Sequence, residues 1–276
     1  MGIVVGVIPG TFWENSLPLR TYFLLCALFS GISVILAAMY LVEPSFPLER
    51  RAVALTQESL VAKLRTVSMI FIAIPSWEDI RSFGRLMRSV FTRQLPLLYM
   101  SFFLFFMAGN LFFTSYTPFL KSREMGDSGV FTVFSALFVL QASIYPMTGG
   151  MCMRFGEGRV ALLAIGLRIA GFSAAVVTAM LTVRNSSLLV ASVASIAMVG
   201  SAYAFYNTSG SVLLFRSLAA GKQGELLGVY SALIGIAGFV GSIVSGYLSF
   251  HFGYALTFMT AAVLLIGSAF TLRFAG

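Results

Sequence analysis

Seven long apolar stretches dominate this sequence and leave few folds open to it. They are separated by short segments that hold most of the charged side chains. A helix that crosses the hydrocarbon core of a bilayer needs roughly 20 mainly apolar residues. Each stretch is therefore long enough for one crossing. The stretches are residues 20–42, 96–119, 128–153, 160–183, 187–215, 226–250 and 253–273.

The composition excludes a soluble globular domain. Hydrophobic residues make up 58% of the chain and charged residues only 10%, and the mean hydropathy is +0.93. Soluble domains carry about 25% charged residues. Sustained alternation of apolar and polar residues, which is typical of spanning strands, is absent from the sequence. We therefore predict an all-α polytopic membrane protein whose main partner is the lipid bilayer.

The basic residues predict the orientation of the chain. Thirteen lysines and arginines lie in the segments on the side of residues 43–95, and four lie on the opposite side. Short cytoplasmic loops carry an excess of basic residues. The distribution predicts a multi-pass protein of the cell (plasma) membrane with a cytoplasmic C-terminus. It also accounts for the net charge of +8, so we expect no nucleic-acid partner.

The polar residues give no pattern typical of an enzyme. Cys26 and Cys152 fall at opposite ends of the predicted topology, and the single histidine, His251, lies at an outer helix end. We find no metal-ligand spacing, no nucleophile with a base and no phosphate-binding loop. We expect no catalytic residue, no metal and no cofactor.

Residues 43–95 form the longest polar segment and predict a linker on the cytoplasmic side. After Pro75, apolar residues recur at helical spacing and arginines lie to one side of them. A basic amphipathic helix of this kind lies in the membrane interface. The alternative is a solvated loop with an apolar face.

Small residues follow one face of the 226–250 stretch. Such spacing lets another helix approach to backbone contact, so we predict a helix-packing surface here. The glycines that mark it are Gly228, Gly235, Gly238 and Gly246.

A weak internal repeat links the two ends of the chain. The glycines at positions 2, 6 and 10 have the spacing of Gly238, Ser242 and Gly246, and both series lead through a short outer loop into an apolar stretch. Repeats of this kind are typical of transporters built from two related halves.

The segment 149–159 resembles the loop motif of the major facilitator superfamily. In that motif a glycine is followed by three residues, Asp-Arg, one residue, and then a glycine with basic residues. Gly149, Arg154 and Gly156 match it, whereas Met153 stands where the family has aspartate. The chain is therefore similar to the second half of such a transporter.

The resemblance implies a major-facilitator-type helical bundle that is N-terminally incomplete. A typical member has twelve spans, with a long inner loop between the sixth and seventh. By that alignment, residues 1–42 are a remnant of the N-terminal bundle (a half-span plus one helix), 43–95 are the cytoplasmic linker, and 96–276 are the C-terminal six-helix bundle. We expect either a truncated gene product or a chain that pairs with another one, as a homo-oligomer or with the missing N-terminal half.

The resemblance also indicates which helices line a substrate cavity. The first helix of each three-helix unit does so in the family, here 96–119 and 187–215. We predict that inward polar and aromatic side chains on these helices and on 128–153 contact an unknown small-molecule substrate. The alternative is that the amides are hydrogen-bonded between helices, worth ~0.6 kcal/mol each. The candidates are Asn110, Thr114, Gln141, Tyr145, Tyr203, Tyr206 and Asn207.

Arg168 is the only charged residue deep inside a predicted span. At the bilayer centre an arginine costs about 3 kcal/mol on the insertion scale. One interpretation is a role with an anionic substrate. We favour the other, in which the side chain reaches toward the headgroups or bonds to a neighbouring helix.

These observations predict a secondary transporter that moves a small solute by alternating access. Carriers for drugs, sugars and metabolites share this helix pattern, so the pattern leaves the substrate open. The alternative function is an inactive or scaffold membrane fragment that pairs with another chain.

Overall fold

Five helices account for nearly all of the residues that the structure, a computed structural model, describes: 28, 31–32, 95–181, 185–217 and 223–275. Residues 95–275 belong to one compact unit. The predictions for the N-terminal half-span, its glycine repeat and the interfacial helix after Pro75 concern residues outside the described set.

Each helix covers one or two of the predicted spans. The helices are α1 (Leu95–Ser122), α2 (Asp127–Phe155), α3 (Glu157–Met180), α4 (Asn185–Ser217) and α5 (Gln223–Ala275). All five are long and apolar enough to cross a membrane, and the described residues contain no strand. The predicted all-helical class and the presence of several helices suited to a membrane are therefore confirmed for this part of the chain.

Gly253 divides α5 into two arms. Its backbone has φ 83° and ψ 170°, which only glycine adopts readily. Unbroken, the 53 residues of α5 would extend about 80 Å at 1.5 Å per residue, far more than the roughly 30 Å hydrocarbon core. The break separates a first arm, residues 223–252, from a second arm, residues 254–275. These arms correspond to the last two predicted spans.

The first arm of α5 runs parallel to α1. Near the start of both helices, the rings of Tyr230 and Phe102 are 5.0 Å apart. Further along both, the hydroxyls of Ser245 and Ser115 are 2.5 Å apart.

The second arm of α5 runs antiparallel to α1. The ring of Phe258 is 5.5 Å from that of Phe119 near the end of α1. The hydroxyl of Ser268, further along the arm, is 3.0 Å from that of Ser101 near the start of α1. The chain therefore turns back at Gly253, and α1 contacts both arms.

The remaining helices pack around α4. The Ser195 hydroxyl on α4 donates a 2.7 Å hydrogen bond to the Gly171 carbonyl on α3. On the other side, Thr148 on α2 donates to Thr208 on α4 at 2.9 Å. Apart from its contact with α4, α2 has little protein packed on it. Only 17% of its most apolar stretch is buried.

Stacked aromatic rings form the core where α1, α3 and α5 meet. The Phe112 ring lies 4.2 Å from that of Phe172 on α3 and 5.0 Å from that of Phe258 on α5. All three are fully buried. Pairs of this geometry contribute about 0.5–1.5 kcal/mol beyond the area they bury, so this core holds three helices together.

The four glycines predicted to pack on another helix differ in what lies next to them in the structure. An added Cβ at Gly238 would lie 3.5 Å from the Asn110 amide nitrogen, whereas at Gly228, Gly235 and Gly246 it would have no atom within 4 Å among the described residues.

The close approach of α5 to α1 instead occurs at Gly241, where an added Cβ would lie 2.6 Å from the Met107 carbonyl oxygen. Gly241 lies about a third of a turn around the helix from the line of Gly228, Gly235 and Gly246. Among the predicted packing glycines, Gly238 therefore faces α1, and the closest approach is at Gly241, which the pattern did not single out.

The loop-motif residues connect α2 to α3. Gly156 alone separates the two helices, with φ 83° and its amide donating to the Cys152 carbonyl at 3.0 Å. Arg154 is exposed in the last turn of α2, and its guanidinium lies 5.4 Å from the centre of the Phe155 ring. Gly149 is exposed within α2 with open space at its Cβ position. Gly156 is thus the motif residue whose conformation the connection requires.

Candidate functional site

A polar cluster lies around the contact between α2 and α4. We define it as Tyr145, Tyr203, Asn207 and Tyr230. The Asn207 amide donates a 3.2 Å hydrogen bond to the Tyr145 hydroxyl, which joins α4 to α2. The rings of Tyr203 on α4 and Tyr230 on the first arm of α5 both meet the Phe106 ring on α1 edge-on, with 6.3 Å between centroids in each pair. Three of the seven predicted cavity residues are therefore brought together here, with a fourth residue that the sequence analysis did not select.

The polar cluster is partly accessible. Tyr145, Tyr203 and Asn207 are half-buried, and Tyr230 is 8% exposed. On its inner side the Tyr203 ring meets that of Phe106 edge-on at 6.3 Å. Tyrosine hydroxyls and an amide on an aromatic surface offer neutral hydrogen-bond donors and acceptors together with flat apolar faces.

Tyr206 takes a different position from the other predicted tyrosine of α4. It is 1% exposed, its ring stacks on Phe105 with 3.6 Å between centroids, and its hydroxyl is 2.9 Å from that of Ser101. Ser101 in turn shares a 3.0 Å hydrogen bond with Ser268. Tyr206 therefore joins α4, α1 and α5 inside the protein core rather than lining an open cavity.

Asn110 and Thr114 lie between α1 and the first arm of α5, away from the polar cluster. The Asn110 amide donates to the Phe106 carbonyl of its own helix at 2.9 Å, and it also contacts Gly238. Thr114 is exposed and donates to the Ser242 hydroxyl at 3.2 Å. Thr114 is therefore bonded across to α5, and the Asn110 amide is satisfied within α1. Among the predicted amides, Asn207 has the geometry of the alternative, a hydrogen bond between helices.

Gln141 lies one turn before Tyr145 on α2 and is half-buried. The described residues show no hydrogen bond to its amide. Its position on the same side of α2 as Tyr145 is compatible with the predicted cavity face, but no contact joins it to the polar cluster.

Arg168 is buried in the middle of the bundle. It is 2% exposed, and its guanidinium carbon lies 4.1 Å from the centre of the Phe105 ring and 5.6 Å from that of Phe172. Its Nε and Nη1 atoms have no hydrogen-bond partner among the described residues. Stabilisation of the cation therefore comes from aromatic faces.

Of the two positions expected for Arg168, the one at the headgroups is contradicted by its burial, and the guanidinium instead lies against the neighbouring helix α1. The side chain turns inward because α1 carries Gly109 at the contact, where an added Cβ would overlap the guanidinium. The Phe105 ring that the guanidinium faces stacks on the Tyr206 ring, with 3.6 Å between centroids.

The side of α1 that faces Arg168 differs from the predicted cavity face. The polar pattern pointed to the face with Asn110 and Thr114, whereas the buried face carries Ser101, Phe105 and Gly109. Phenylalanines at helical spacing mark this face in the sequence, and those at 102, 105, 112 and 119 are fully buried. Tyr230 lies in the stretch whose small residues predict helix packing, so the sequence gives it no separate signal.

The polar cluster offers three hydroxyls and one amide, while the Arg168 cation is enclosed within the bundle. Within the described ranges, no group of three or more histidine, cysteine, aspartate or glutamate residues is placed to hold a metal ion. The cluster is therefore suited to hydrogen bonding with a neutral polar solute.

Comparisons of this chain with protein-family models, with curated proteins and with solved structures found no match.

Proposed function

We propose that this protein is a secondary-transporter-type membrane protein of the major facilitator kind, which moves a small solute by alternating access together with a second helical bundle. The observation that carries the proposal is the polar cluster, in which a hydrogen bond from Asn207 to Tyr145 joins two helices inside an apolar bundle. Polar groups are costly inside a membrane and are commonly functional there. We propose no enzymatic activity and no cofactor.

The order of the helices supports this proposal. Tyr206 of α4 contacts Ser101 near the start of α1, and Tyr116 near the end of α1 donates to the Ser192 carbonyl near the start of α4 at 3.4 Å. These two helices are antiparallel, as are α3 and α4 and the two arms of α5. Successive segments that alternate in direction are what serial membrane crossings require.

The charge distribution supports a cytoplasmic C-terminus in the plasma membrane. Among the described side chains, one end of the bundle carries four arginines and one glutamate, and the other end carries two basic and two acidic residues. The arginine-rich end, where α5 finishes, is the cytoplasmic one by the positive-inside rule. Its residues are Arg154, Glu157, Arg159, Arg216 and Arg273.

A second bundle is part of the proposal because alternating access rocks one bundle against another around a central site. The described bundle leaves faces uncovered on α2 and on the first arm of α5. Large exposed side chains of the arm include Ile236, Phe239 and Ile243. The second bundle would come from another copy of this chain or from further helices.

Uptake in proteoliposomes tests the proposal. A panel of labelled solutes is supplied to vesicles containing the 276-residue chain or a longer form with four further in-frame upstream helices. We expect saturable uptake only with the longer form. Asn207→Ala and Tyr145→Phe should each reduce uptake by about fivefold, since each removes the half-buried hydrogen bond between α4 and α2, worth ~1 kcal/mol.

Tyr247→Phe is the matched control, because Tyr247 is 60% exposed and lies outside the cluster. It should leave uptake unchanged. Saturable uptake by the short chain, abolished by Asn207→Ala, would instead make a homo-oligomeric carrier the leading interpretation.

The second candidate function is a membrane scaffold without transport activity. The exposed line of Gly228, Gly235 and Gly246 favours it, since small residues facing outward allow another helix to dock. Absence of saturable uptake in every form, together with co-purification of a partner protein lost in Gly235→Leu, would support this function and contradict the carrier.

A further inference from the structure

A cavity opens at the end of the bundle where α3 begins and α4 and α5 finish. Its volume is about 250 Å³, and four helices contribute to its wall. The inner wall is apolar, with Leu98 and Leu272 almost fully buried, while Leu162 on the outer side is 36% exposed. The cavity therefore has an apolar interior and opens toward the outer surface of the bundle.

Two guanidinium groups border the cavity without a counter-charge. Arg159 and Arg273 both line it and are exposed. Neither forms an ion pair within the described part of the chain. Glu157, the carboxylate described at this end, is already paired with Arg216. The mouth of the cavity thus carries an uncompensated positive charge.

The backbone at the cavity contributes partial charges of both signs. Gly158 lines the cavity in the first turn of α3, whose amides carry partial positive charge. Ser217 and Ala275 line it at the ends of α4 and α5, where the carbonyls carry partial negative charge. The positive charge at the mouth therefore comes from the two arginines.

We propose that this cavity binds an anionic phospholipid, with the phosphate-bearing headgroup between Arg159 and Arg273 and an acyl chain leaving past Leu162 into the bilayer. Basic pockets between membrane helices hold anionic headgroups. The volume of about 250 Å³ is below the range of roughly 300–1,000 Å³ typical of drug-sized ligands, so the cavity accommodates a headgroup rather than a whole solute. The apolar wall distinguishes the site from one for free phosphate. This inference holds whether or not the bundle transports a solute.

Lipid titration by native mass spectrometry tests the proposal. The full chain is purified in a mild detergent, stripped of lipid, and titrated with phosphatidylglycerol, with phosphatidylcholine or with inorganic phosphate. We expect phosphatidylglycerol to bind at least about tenfold more tightly than phosphatidylcholine, and inorganic phosphate not to displace it. Arg159→Gln and Arg273→Gln should each weaken binding by about fivefold, the effect of one basic residue at an anionic surface.

Arg154→Gln is the control, because it removes a positive charge from the same end without touching the cavity. It should change the affinity by less than about twofold, and the charge-conserving Arg159→Lys should retain most of the binding. Equal affinities for phosphatidylglycerol and phosphatidylcholine would overturn the proposal. A loss of affinity in Arg154→Gln as large as in Arg159→Gln would overturn it as well. So would displacement of phosphatidylglycerol by inorganic phosphate.

Discussion

The absence of a side chain at Gly109 determines where the Arg168 guanidinium lies. The guanidinium occupies the space where a side chain at position 109 would begin. Gly109→Ala should therefore destabilise the protein by about 1–3 kcal/mol, the usual cost of overpacking. Arg168→Met should be nearly neutral or stabilising, since Nε and Nη1 are buried without partners. The double variant should recover the stability that Gly109→Ala loses. Thermal unfolding of the four proteins in detergent measures this coupling.

Gly166→Ala is the control for that cycle, since an added Cβ there meets nothing within 4 Å. It should be neutral or slightly stabilising because alanine is the better helix former. Additive effects of the two core substitutions would contradict the proposed contact.

At the scale of the element, the packing of α5 on α1 depends on one glycine. An added Cβ at Gly241 would lie 2.6 Å from the Met107 carbonyl oxygen, a backbone atom that has little freedom to move. Gly241→Leu should therefore lower the folded yield severely, and Gly238→Leu should do so as well. Gly235→Leu, which the sequence pattern alone predicts to be damaging, should have a much smaller effect. Size-exclusion profiles of fluorescently tagged protein measure the yields.

Leu233→Ala provides the reference for a mild change on the same arm. A yield of Gly235→Leu as low as that of Gly241→Leu would show that a helix beyond the described bundle packs on the outward glycine line.

At the scale of the whole molecule, the uncovered faces of α2 and α5 predict association. Phe239 and Tyr247 on the first arm are largely exposed, and little of α2 is buried, so a wide apolar surface of the described bundle has no other helix packed on it. We expect the purified chain to form oligomers that cover this surface or to be a poorly stable monomer. Light scattering coupled to size exclusion, combined with thermal unfolding, distinguishes these results from a stable monomer, which would contradict the prediction.

The positions of the described helices could be predicted from the sequence because they depend on hydrogen bonds within each segment, not on its neighbours. A stretch of apolar residues long enough for a bilayer must satisfy its own backbone hydrogen bonds, so it forms a helix wherever it lies. The last two predicted spans meet at residues 250–253, and the break at Gly253 has the backbone conformation that glycine adopts readily.

The tertiary structure decided which face of each helix meets which neighbour. Hydropathy distinguishes poorly between a face in lipid and a face in protein, since both surroundings are apolar. The sequence pattern therefore grouped Asn110 with Asn207, although the first lies against α5 and the second bonds to α2. It also left Arg168 either near the headgroups or bonded to a neighbouring helix, whereas the absence of a side chain at Gly109 lets the guanidinium lie between aromatic rings. The space filled by the guanidinium of Arg168 on α3 is left by a glycine on α1. It therefore becomes visible only when the two helices are packed together.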